Sequence, residues 1–523
     1  MNRRIVGFFA ILVIGTGAMI AWRFLAPRLK DKFQTESSDA VATKGRLTVA
    51  VDSWIGYFPL CGKEMRRQLR TAGYLLACED DKANLKDRFA KIANGSHDFA
   101  VATVDSLLTN GAAEDFPGVI VAVIDESRGG DAIVARKDKV NSLDQLKGPN
   151  PFRIAYTPSS PSEYFLTAVG VHFDIARLLK RGEPWRVETD GSEAAFKQLS
   201  KGDVDVAVLW EPDVSRAIAS EGLVKLLSTK DAARLIVDVL VVRRQFAQEN
   251  PSAVHDFLSA YFKALKAYRD DPGGLKDEVM QATKLSSDQV DAMLGGVQWY
   301  NLLQNARDWF GLGGTDATGE EGLVDIIEST AKILVESGTM SRSPVPAGDP
   351  YRLQNRSFIE QLYSVGIGIP GTTDRRDETL SPAASLAAPF PELDAAAWGK
   401  LTEIGTLKVR PISFQSGTAE LSDEGRGELD LAAESLGHFP NFRVVIKGHT
   451  GLGGDIDANR ELSQRRAESV KNYLVEARGV SPPRLNALGM GASAPLARGI
   501  GETDRAYNYR LPRVELYLVS DVY

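Results

Sequence analysis

Cysteine and histidine are scarce in this sequence, whose 523 residues include only two cysteines and five histidines. Most zinc sites and thiol-based active sites are built from these two residue types, so the composition leaves little material for either. The chain also lacks the glycine-rich phosphate loop and the G-x-S-x-G motif that would indicate nucleotide binding or a serine hydrolase. We therefore expect a binding protein rather than an enzyme, with no catalytic residues, no metal site and no cofactor.

Long basic runs are absent as well, and the formal net charge is -7. Surfaces that bind nucleic acid need clustered positive charge, so we expect no nucleic-acid partner. The hydrophobic share of 43% is typical of a folded soluble protein, and the length favours two or three domains over a single core.

One long apolar run is present, at the N-terminus. Arg3 and Arg4 precede apolar residues 5–21, and a helix of about twenty residues spans the hydrocarbon core of a bilayer. The same pattern fits a secretory signal peptide, but no A-x-A cleavage site follows the run. We therefore predict an uncleaved signal anchor, a transmembrane helix over residues 1–30, and a polar tether over 31–45. A cleaved signal peptide is the alternative.

Residues 202–212, GDVDVAVLWEP, repeat a pattern found at residues 95–106, GSHDFAVATVDS. In both copies a glycine ends a helical pattern and an apolar run follows, which predicts a buried parallel strand. The two copies lie in blocks of similar length that alternate strands and helices. We therefore expect two similar α/β lobes with a cleft between them.

The two cysteines flank a predicted helix that connects two predicted strands. In a right-handed βαβ unit the helix begins near the end at which the second strand finishes. Cys61 at the helix start and Cys78 at the strand end are therefore expected to be close, and in an oxidising compartment we predict a disulfide between them. Two buried free thiols are the alternative.

Several stretches occur in the order and spacing of a known family: VDSWIGYFP, NGSHDFAVAT, ESRGGDAIVARKD, NSLDQLKG and KGDVDVAVLWEP. Residues 46 to about 310 thereby resemble the periplasmic solute-binding proteins of the nitrate, sulfonate, taurine and thiamine-precursor group. The resemblance implies a two-lobed α/β fold of periplasmic-binding-protein type II, and an ABC permease or another envelope protein as a partner. Related enzymes of thiamine-pyrimidine synthesis carry a cysteine-rich, histidine-containing motif that this chain lacks.

The implied solute-binding domain consists of two lobes joined by two crossovers. Its expected bounds are 46–340 for the whole domain, about 46–131 and 236–340 for lobe I, about 137–234 for lobe II, and 132–136 and 235–242 for the crossovers.

Three loops are expected to meet in the cleft, because ligands of open α/β sheets bind at the carboxyl ends of the strands. One loop brings aromatic rings, one brings glycines and Arg128, and one opens a helix whose N-terminus attracts anions. We therefore predict a small anionic solute. The predicted ligand-binding residues are Ser53, Trp54, Tyr57, Thr103, Ser127, Arg128, Gly129, Thr157, Ser159, Ser160, Ser162, Trp210 and Glu211.

Each of these residues also has a structural alternative. Trp54 and Trp210 would equally suit the core, Arg128 a surface ion pair, and Glu211 a helix cap. Glu211 also argues against an anion, since a carboxylate would suit a zwitterion or an amine.

The C-terminal part follows a proline-rich linker predicted over residues 341–399. Within 400–523, the stretches FQSGTAELS, IKGHT, NRELSQRRAESVKNYL, LGMGASAP and RVEL resemble the α+β OmpA-like peptidoglycan-binding domain. The resemblance implies that Arg466 binds a stem-peptide carboxylate, although Gly451 stands where the family has an aspartate. The implied peptidoglycan-binding residues are Thr450, Asn459, Arg466, Arg510 and Arg513.

These expectations combine into a protein anchored in the inner membrane, with its bulk in the periplasm, that binds a solute and attaches to the cell wall. The alternative for the lobes is an envelope scaffold or sensor that contacts a protein partner. The alternative for the C-terminal domain is a purely structural or protein-binding role.

Overall fold

A computed structural model of the chain describes residues 43–148, 151–312, 322–365, 390–415, 417–499 and 501–520. The predicted N-terminal anchor and residues 366–389 of the predicted proline-rich linker lie outside these residues. Residues 341–365 of that predicted linker are described, and they bury Leu353, Phe358 and Leu362 rather than forming an extended segment. Within them, no helix has the length and apolar character needed to cross a membrane.

The described residues contain fifteen strands. They are β1 (Gly45–Val51), β2 (Tyr74–Asp80), β3 (Phe99–Thr103), β4 (Gly118–Ser127), β5 (Asp131–Arg136), β6 (Ile154–Tyr156), β7 (Arg186–Glu188), β8 (Val206–Trp210), β9 (Leu223–Ser228), β10 (Val237–Arg243), β11 (Val297–Trp299), β12 (Thr402–Thr406), β13 (Arg443–His449), β14 (Leu485–Gly491) and β15 (Arg513–Ser520).

The α-helices of the same residues pack around these strands. They are α1 (Phe58–Cys61), α2 (Lys63–Thr71), α3 (Leu85–Ala93), α4 (Val104–Ser106), α5 (Pro161–His172), α6 (Ser192–Lys201), α7 (Asp213–Ile218), α8 (Arg244–Glu249), α9 (Pro251–Asp270), α10 (Pro272–Thr283), α11 (Ser287–Gly295), α12 (Leu302–Gln304), α13 (Gly322–Glu336), α14 (Ser357–Ser364), α15 (Ala395–Trp398), α16 (Asp423–Gly437), α17 (Ile456–Glu476) and α18 (Asp504–Arg510).

Two sheets with the same internal order form two lobes. The first lobe is built on the sheet β2-β1-β3-β10-β4-β11, and the second lobe on the sheet β7-β6-β8-β5-β9. In each sheet the first three strands are parallel, and the next strand, which arrives from the other lobe, is antiparallel to both of its neighbours. The chain passes between the lobes at residues 128–130 and 229–236, which we call the first and second crossovers.

The sequence repeat corresponds to β3 and β8, which hold the same position in the two sheets. Its aspartates make equivalent contacts: the Asp98 carboxylate accepts hydrogen bonds from the backbone N–H and hydroxyl of Thr48 in β1, and the Asp205 carboxylate accepts one from the backbone N–H of Arg153 just before β6. Each aspartate therefore links the strand that follows it, β3 or β8, to the neighbouring parallel strand, β1 or β6. Both sheets need this contact, which explains why the short motif appears twice.

Helix α13 lies across the two lobes. It packs against α4 of the first lobe and against α5 of the second, where the Tyr164 hydroxyl donates to Thr330 Oγ1 at 3.4 Å. The lobes are therefore held together by this helix as well as by the two crossovers.

The C-terminal domain is an α+β unit with the sheet order β12-β15-β13-β14. Helices α16 and α17 turn one apolar face each towards the core of this domain, with Leu429, Ala432 and Leu436 buried on the first and Val470 and Leu474 on the second. The spacing of three to four residues on each helix is that of an amphipathic helix covering a sheet.

The C-terminal domain packs on the second lobe and on the second crossover. The Phe439 ring makes edge contacts with the rings of Phe173 and His172, at centroid distances of 5.3 and 5.4 Å. The backbone N–H of Ala233 donates to the His438 carbonyl at 2.8 Å, and the Asn441 side chain donates to the Lys230 carbonyl at 2.7 Å. The segment that connects the lobes is therefore part of the domain interface.

A disulfide joins Cys61, the last residue of α1, to Cys78 in β2, and the two Cα atoms are 6.2 Å apart. The bond closes a short loop around α2 and fixes it at the edge of the first sheet. Substituting both cysteines with serine should lower the free energy of unfolding by about 3 kcal/mol, because the bond restricts the unfolded chain.

Urea unfolding of the full chain measures this loss. A reducing agent should lower the stability of the parent protein to that of the double variant and leave the variant unchanged. Equal stability of the oxidised parent and the variant would contradict the prediction.

Candidate binding site between the lobes

A small cavity of about 40 Å³ lies between the lobes, where the carboxyl ends of β1, β3 and β8 meet. This is the location that the strand-end rule predicts for a ligand of an α/β sheet. The lining residues are Asp52, Trp54, Tyr57, Ala83, Thr103, Asp131, Ser160, Pro161, Trp210, Ile236 and Asp238.

Trp54 occupies much of the cleft and accounts for the small volume. Its indole N–H donates to Asp125 at 3.0 Å, and its ring lies on Gly130 of the first crossover, where an added Cβ would come within 2.3 Å of a ring carbon. A cavity of this size holds about three water molecules, whereas pockets for drug-sized ligands are roughly 300 Å³ or larger. The structure therefore has closed lobes with room for one compact chemical group.

Three aspartates give the cavity a negative lining, and none of its lining residues is lysine or arginine. Asp52 forms a salt bridge of 2.9 Å with Arg88. Asp131 accepts a hydrogen bond of 2.6 Å from the Ser127 hydroxyl, and Asp238 accepts one from the Tyr57 hydroxyl.

Burial raises the pKa values of two of these acids, Asp131 and Asp238. It raises the pKa of Asp131 to about 7, and the charges of Asp105 and Glu211 add to this effect. Burial also raises the pKa of Asp238, to which the charge of Asp125 contributes, and the pKa of Asp125, to which the charges of Asp131 and Glu126 contribute. A cation bound beside these carboxyl groups would favour their charged form.

Arg88 is a buried cation that forms a salt bridge with one of the three aspartates of the cavity, Asp52. Its guanidinium contacts Asp52 and also Asp81, and donates to the Val101 carbonyl at 2.9 Å. Burial alone would lower the pKa of Arg88, but the hydrogen bond to Asp81 and the charge of Asp52 raise it, so the group stays charged. Arg88 balances these two carboxylates, and its hydrogen bonds to acids go to Asp52 and Asp81 rather than to Asp131 or Asp238.

One polar group in the cavity wall lacks a partner. The Thr103 side chain is 3% exposed, and its hydroxyl oxygen makes no close hydrogen bond to a described residue, although it lies near enough to the Asp105 carboxylate to lower the pKa of that group. The Ser160 hydroxyl, by contrast, donates to the Thr157 carbonyl and accepts from the Ser162 N–H, so it caps α5 from within the chain.

Five of the thirteen expected ligand-binding residues line the cavity: Trp54, Tyr57, Thr103, Ser160 and Trp210. Ser159 lines a second cavity of about 240 Å³ that shares Ser160 with the first. Ser53 is exposed, and Thr157 and Ser162 are buried. Ser127 and Gly129 are bonded to Thr229 of the second crossover.

The structure does not support the expected preference for an anion. Arg128, on which that expectation depended, points to the Glu126 carboxylate at 3.1 Å and does not line the cavity. Glu211 accepts hydrogen bonds from the N–H and hydroxyl of Ser215 and so serves α7 as a structural group. Arg128 is thus paired with Glu126, the Ser162 N–H at the helix end is capped by Ser160, and the charged residues that line the cavity are all acids.

Six lining residues were not expected from the sequence: the three aspartates, Ala83, Pro161 and Ile236. The sequence does contain a signal for two of the aspartates. Asp131 and Asp238 lie in otherwise apolar strands, and acids are rarely buried unless they have a partner or a function. Asp52 directly follows β1, which is the strand-end position that the rule for ligands identifies.

The C-terminal domain contains a second candidate site, around Arg466. Its guanidinium is half-buried, donates to the Thr418 carbonyl at 3.1 Å, lies over the Phe414 ring and has no carboxylate partner among the described residues. Arg510 and Arg513, in contrast, are paired with Glu502 and Glu515. Of the three expected arginines, Arg466 is thus the one left without an acidic partner.

The other expected residues of this site lie near the loop that precedes α17. Thr450 is buried with an unpartnered hydroxyl, and the Asn459 side chain donates to the Gly453 carbonyl at 2.9 Å. An added Cβ at Gly451 would meet no atom within 4 Å, so a larger residue fits there.

Comparison with known proteins identifies two families in the chain. Residues 80–274 match the NMT1/THI5-like family, and residues 413–509 match the OmpA family. Two solved structures similar to the chain are the alkanesulfonate-binding protein SsuA from Xanthomonas axonopodis pv. citri bound to MOPS (16% identity, TM-score 0.45, covering 59% of this chain and 99% of that one) and a sulfonate-binding protein from Methylobacillus flagellatus (15%, 0.47, 62% and 96%).

Curated relatives match the C-terminal domain. The peptidoglycan-associated lipoprotein of Pseudomonas putida is 35% identical over 114 residues, which are 22% of this chain and 68% of that protein. Outer membrane porin F of Pseudomonas fluorescens is 35% identical over 100 residues, and the chain spans only 30% of the porin's length. Through its C-terminal domain the chain belongs to the OmpA family, and it joins that domain to a two-lobed domain in which residues 80–274 match the NMT1/THI5-like family model.

Proposed function

We propose that this chain is a cell-envelope solute-binding protein, which binds a small solute between its lobes and attaches to the cell wall through its OmpA-like domain. The observation that carries the proposal is the small cavity between the lobes at the strand ends, with the buried Thr103 hydroxyl and three aspartates in its wall. A buried polar group without a partner costs free energy, which a ligand that supplies a hydrogen bond would recover. The N-terminal anchor in the inner membrane, the periplasmic location and an ABC permease as partner belong to the same proposal.

A thermal-shift titration of the full chain with small cations, anions and neutral solutes tests solute binding. A ligand that binds only the folded state stabilises it in proportion to the logarithm of its concentration above Kd, so at least one class should raise the melting temperature in a saturable manner. Absence of stabilisation by all three classes would contradict the proposal.

A scaffold or sensor that contacts a protein partner is the second candidate. It is favoured by the closed cleft, which Trp54 fills, and by helix α13, which packs on both lobes. Lobes held closed in this way would present a fixed surface, and this candidate predicts that no small solute stabilises the chain.

For the OmpA-like domain, Arg466→Ala should weaken sedimentation of the full chain with purified peptidoglycan by about tenfold or more. The reason is that a hydrogen bond to a charged group is typically worth about 1.5–3 kcal/mol. Gly451→Asp should strengthen it, since the new carboxylate has space and would meet the ammonium group of the stem peptide.

Arg465→Ala is the matched control, because Arg465 is an exposed neighbour on the same helix. Equal loss of sedimentation in the Arg465 and Arg466 variants would show that the domain binds peptidoglycan through its overall positive charge and not through Arg466 in particular. No sedimentation by the parent chain would count against wall binding itself.

A further inference from the structure

The charges around the interlobe cavity are unbalanced. Asp52 shares Arg88 with Asp81, whereas Asp131 and Asp238 have no salt-bridge partner among the described residues. Two further acids, Asp125 and Asp105, act on them electrostatically from behind the cavity wall. A positively charged ligand would lower the pKa values of Asp131 and Asp238 and so hold them in the charged form that binds it, whereas an anion would raise these pKa values further.

The remaining walls are aromatic. The side chains of Trp54, Tyr57 and Trp210 line the same cavity as the aspartates. Aromatic rings attract cations through their electron-rich faces, and this attraction is stronger in a site from which water is excluded. Carboxylates and aromatic rings around one small volume are therefore complementary to an organic cation rather than to a metal ion; in the described residues, no group of acids, cysteines and histidines has metal-binding geometry.

The unpartnered Thr103 hydroxyl is an observation independent of the charges. It is almost completely buried, lines the cavity and makes no close hydrogen bond, and the nearby Asp105 carboxylate can take its proton so that its oxygen stays available as an acceptor. Asp131 also retains acceptor capacity beyond its bond from Ser127. These acceptors suit a cation that carries N–H donors, which a quaternary ammonium group lacks.

The two cavity volumes limit the size of the ligand. About 40 Å³ admits a head group of roughly three non-hydrogen atoms, comparable to three water molecules. The adjoining cavity of about 240 Å³ meets it at Ser160 and contains Thr109, Asn110 and Arg181, so a polar substituent on the head would find space there.

We propose that the solute of this chain is a compact organic ammonium compound, whose N–H-bearing head binds between Asp131 and Asp238, donates to Thr103 and contacts the rings of Trp54, Tyr57 and Trp210. This inference rests on the proposed function as a solute-binding protein and specifies its ligand class.

The test uses the full chain and four probes at constant ionic strength: ethylammonium, tetramethylammonium, ethanol and ethanesulfonate. Binding is followed by indole fluorescence and by the melting temperature, because two tryptophans line the cavity. Ethylammonium should bind with roughly millimolar affinity, which is about the limit for so few atoms, and the other three should bind at least about tenfold more weakly.

Two substitutions test the residues. Asp131→Asn should weaken ethylammonium binding about tenfold, because it removes the negative charge that faces the ammonium group, and Thr103→Val should weaken it severalfold, because it removes a hydrogen-bond acceptor. Glu221→Gln, which removes an exposed acid next to the end of β9 farthest from the cleft, is the control and should leave the affinity unchanged. The melting temperature of each variant without ligand shows whether it is folded.

The outcomes separate this inference from the proposed function. Binding of ethanesulfonate or ethanol in preference to ethylammonium would overturn the ammonium class and leave solute binding intact. Equal or tighter binding of tetramethylammonium, or unchanged affinity in the Asp131 variant, would also overturn it. Failure of all four probes, together with failure of the broader solute panel, would overturn both.

Discussion

Replacing Arg88 with methionine should lower the free energy of unfolding by about 3–5 kcal/mol. Arg88 is fully buried and forms salt bridges with Asp52 and Asp81. Removing one partner of a buried ion pair leaves the other charge uncompensated in a medium of low polarity, and losses of about this size are typical. Urea unfolding of the full chain, followed by circular dichroism, measures the change.

Arg70→Met is the matched control, because Arg70 is exposed at the end of α2. It should change the stability by less than about 0.5 kcal/mol, as is usual for surface positions. Adding Asp81→Asn to Arg88→Met should recover part of the loss, since one of the uncompensated charges is then removed. If the Arg88 variant is as stable as the control, the salt bridges of Arg88 with the two aspartates do not contribute to the free energy of unfolding.

The second large effect is expected at the interface between the C-terminal domain and the second lobe. Phe439→Ala should destabilise the chain by about 3–5 kcal/mol, because large-to-small substitutions of buried aromatic residues leave cavities. Phe439 is 2% exposed and its ring contacts Phe173 and His172 across the interface. The variant should therefore also release the domain: the radius of gyration in solution scattering should rise, and calorimetry should show two transitions.

Leu431→Ala provides the comparison. Leu431 lies on α16, in the same domain, but is 42% exposed. Its variant should keep the parent's radius of gyration and melting profile. If the Phe439 variant does the same, the contacts across the interface do not hold the domain in place.

The sequence was sufficient for the architecture of the lobes but not for the charge of the site. The repeat around Asp98 and Asp205 can be recognised in the sequence because both sheets need the same contact between neighbouring parallel strands, β3 with β1 and β8 with β6. The strand-end rule then led to Thr103 and Trp210, which do line the cavity. Both inferences concern local pattern and topology, which sequence spacing determines directly.

The polarity of the site depends on pairings that spacing does not reveal. Arg128 was expected to face the ligand, yet it lies against Glu126, two residues earlier. Asp131 and Asp238 are single acids in apolar strands, and only the packing of the two lobes brings them to one cavity. The direction of a side chain at a crossover is set by tertiary contacts. The sequence therefore predicted which loop lies at the cleft but not which charged side chains of that region line the cavity.

The docking of the C-terminal domain has a mechanical consequence. Asn441 and His438 contact Lys230 and Ala233, which belong to the second crossover and not to either sheet. A pull on the C-terminal domain would thus be transmitted to the segment about which the lobes would have to move. If that domain is fixed to the wall while the rest of the chain is held elsewhere, tension between the two attachment points acts on the opening of the cleft. The molecule would then respond to strain in the envelope as well as to its solute.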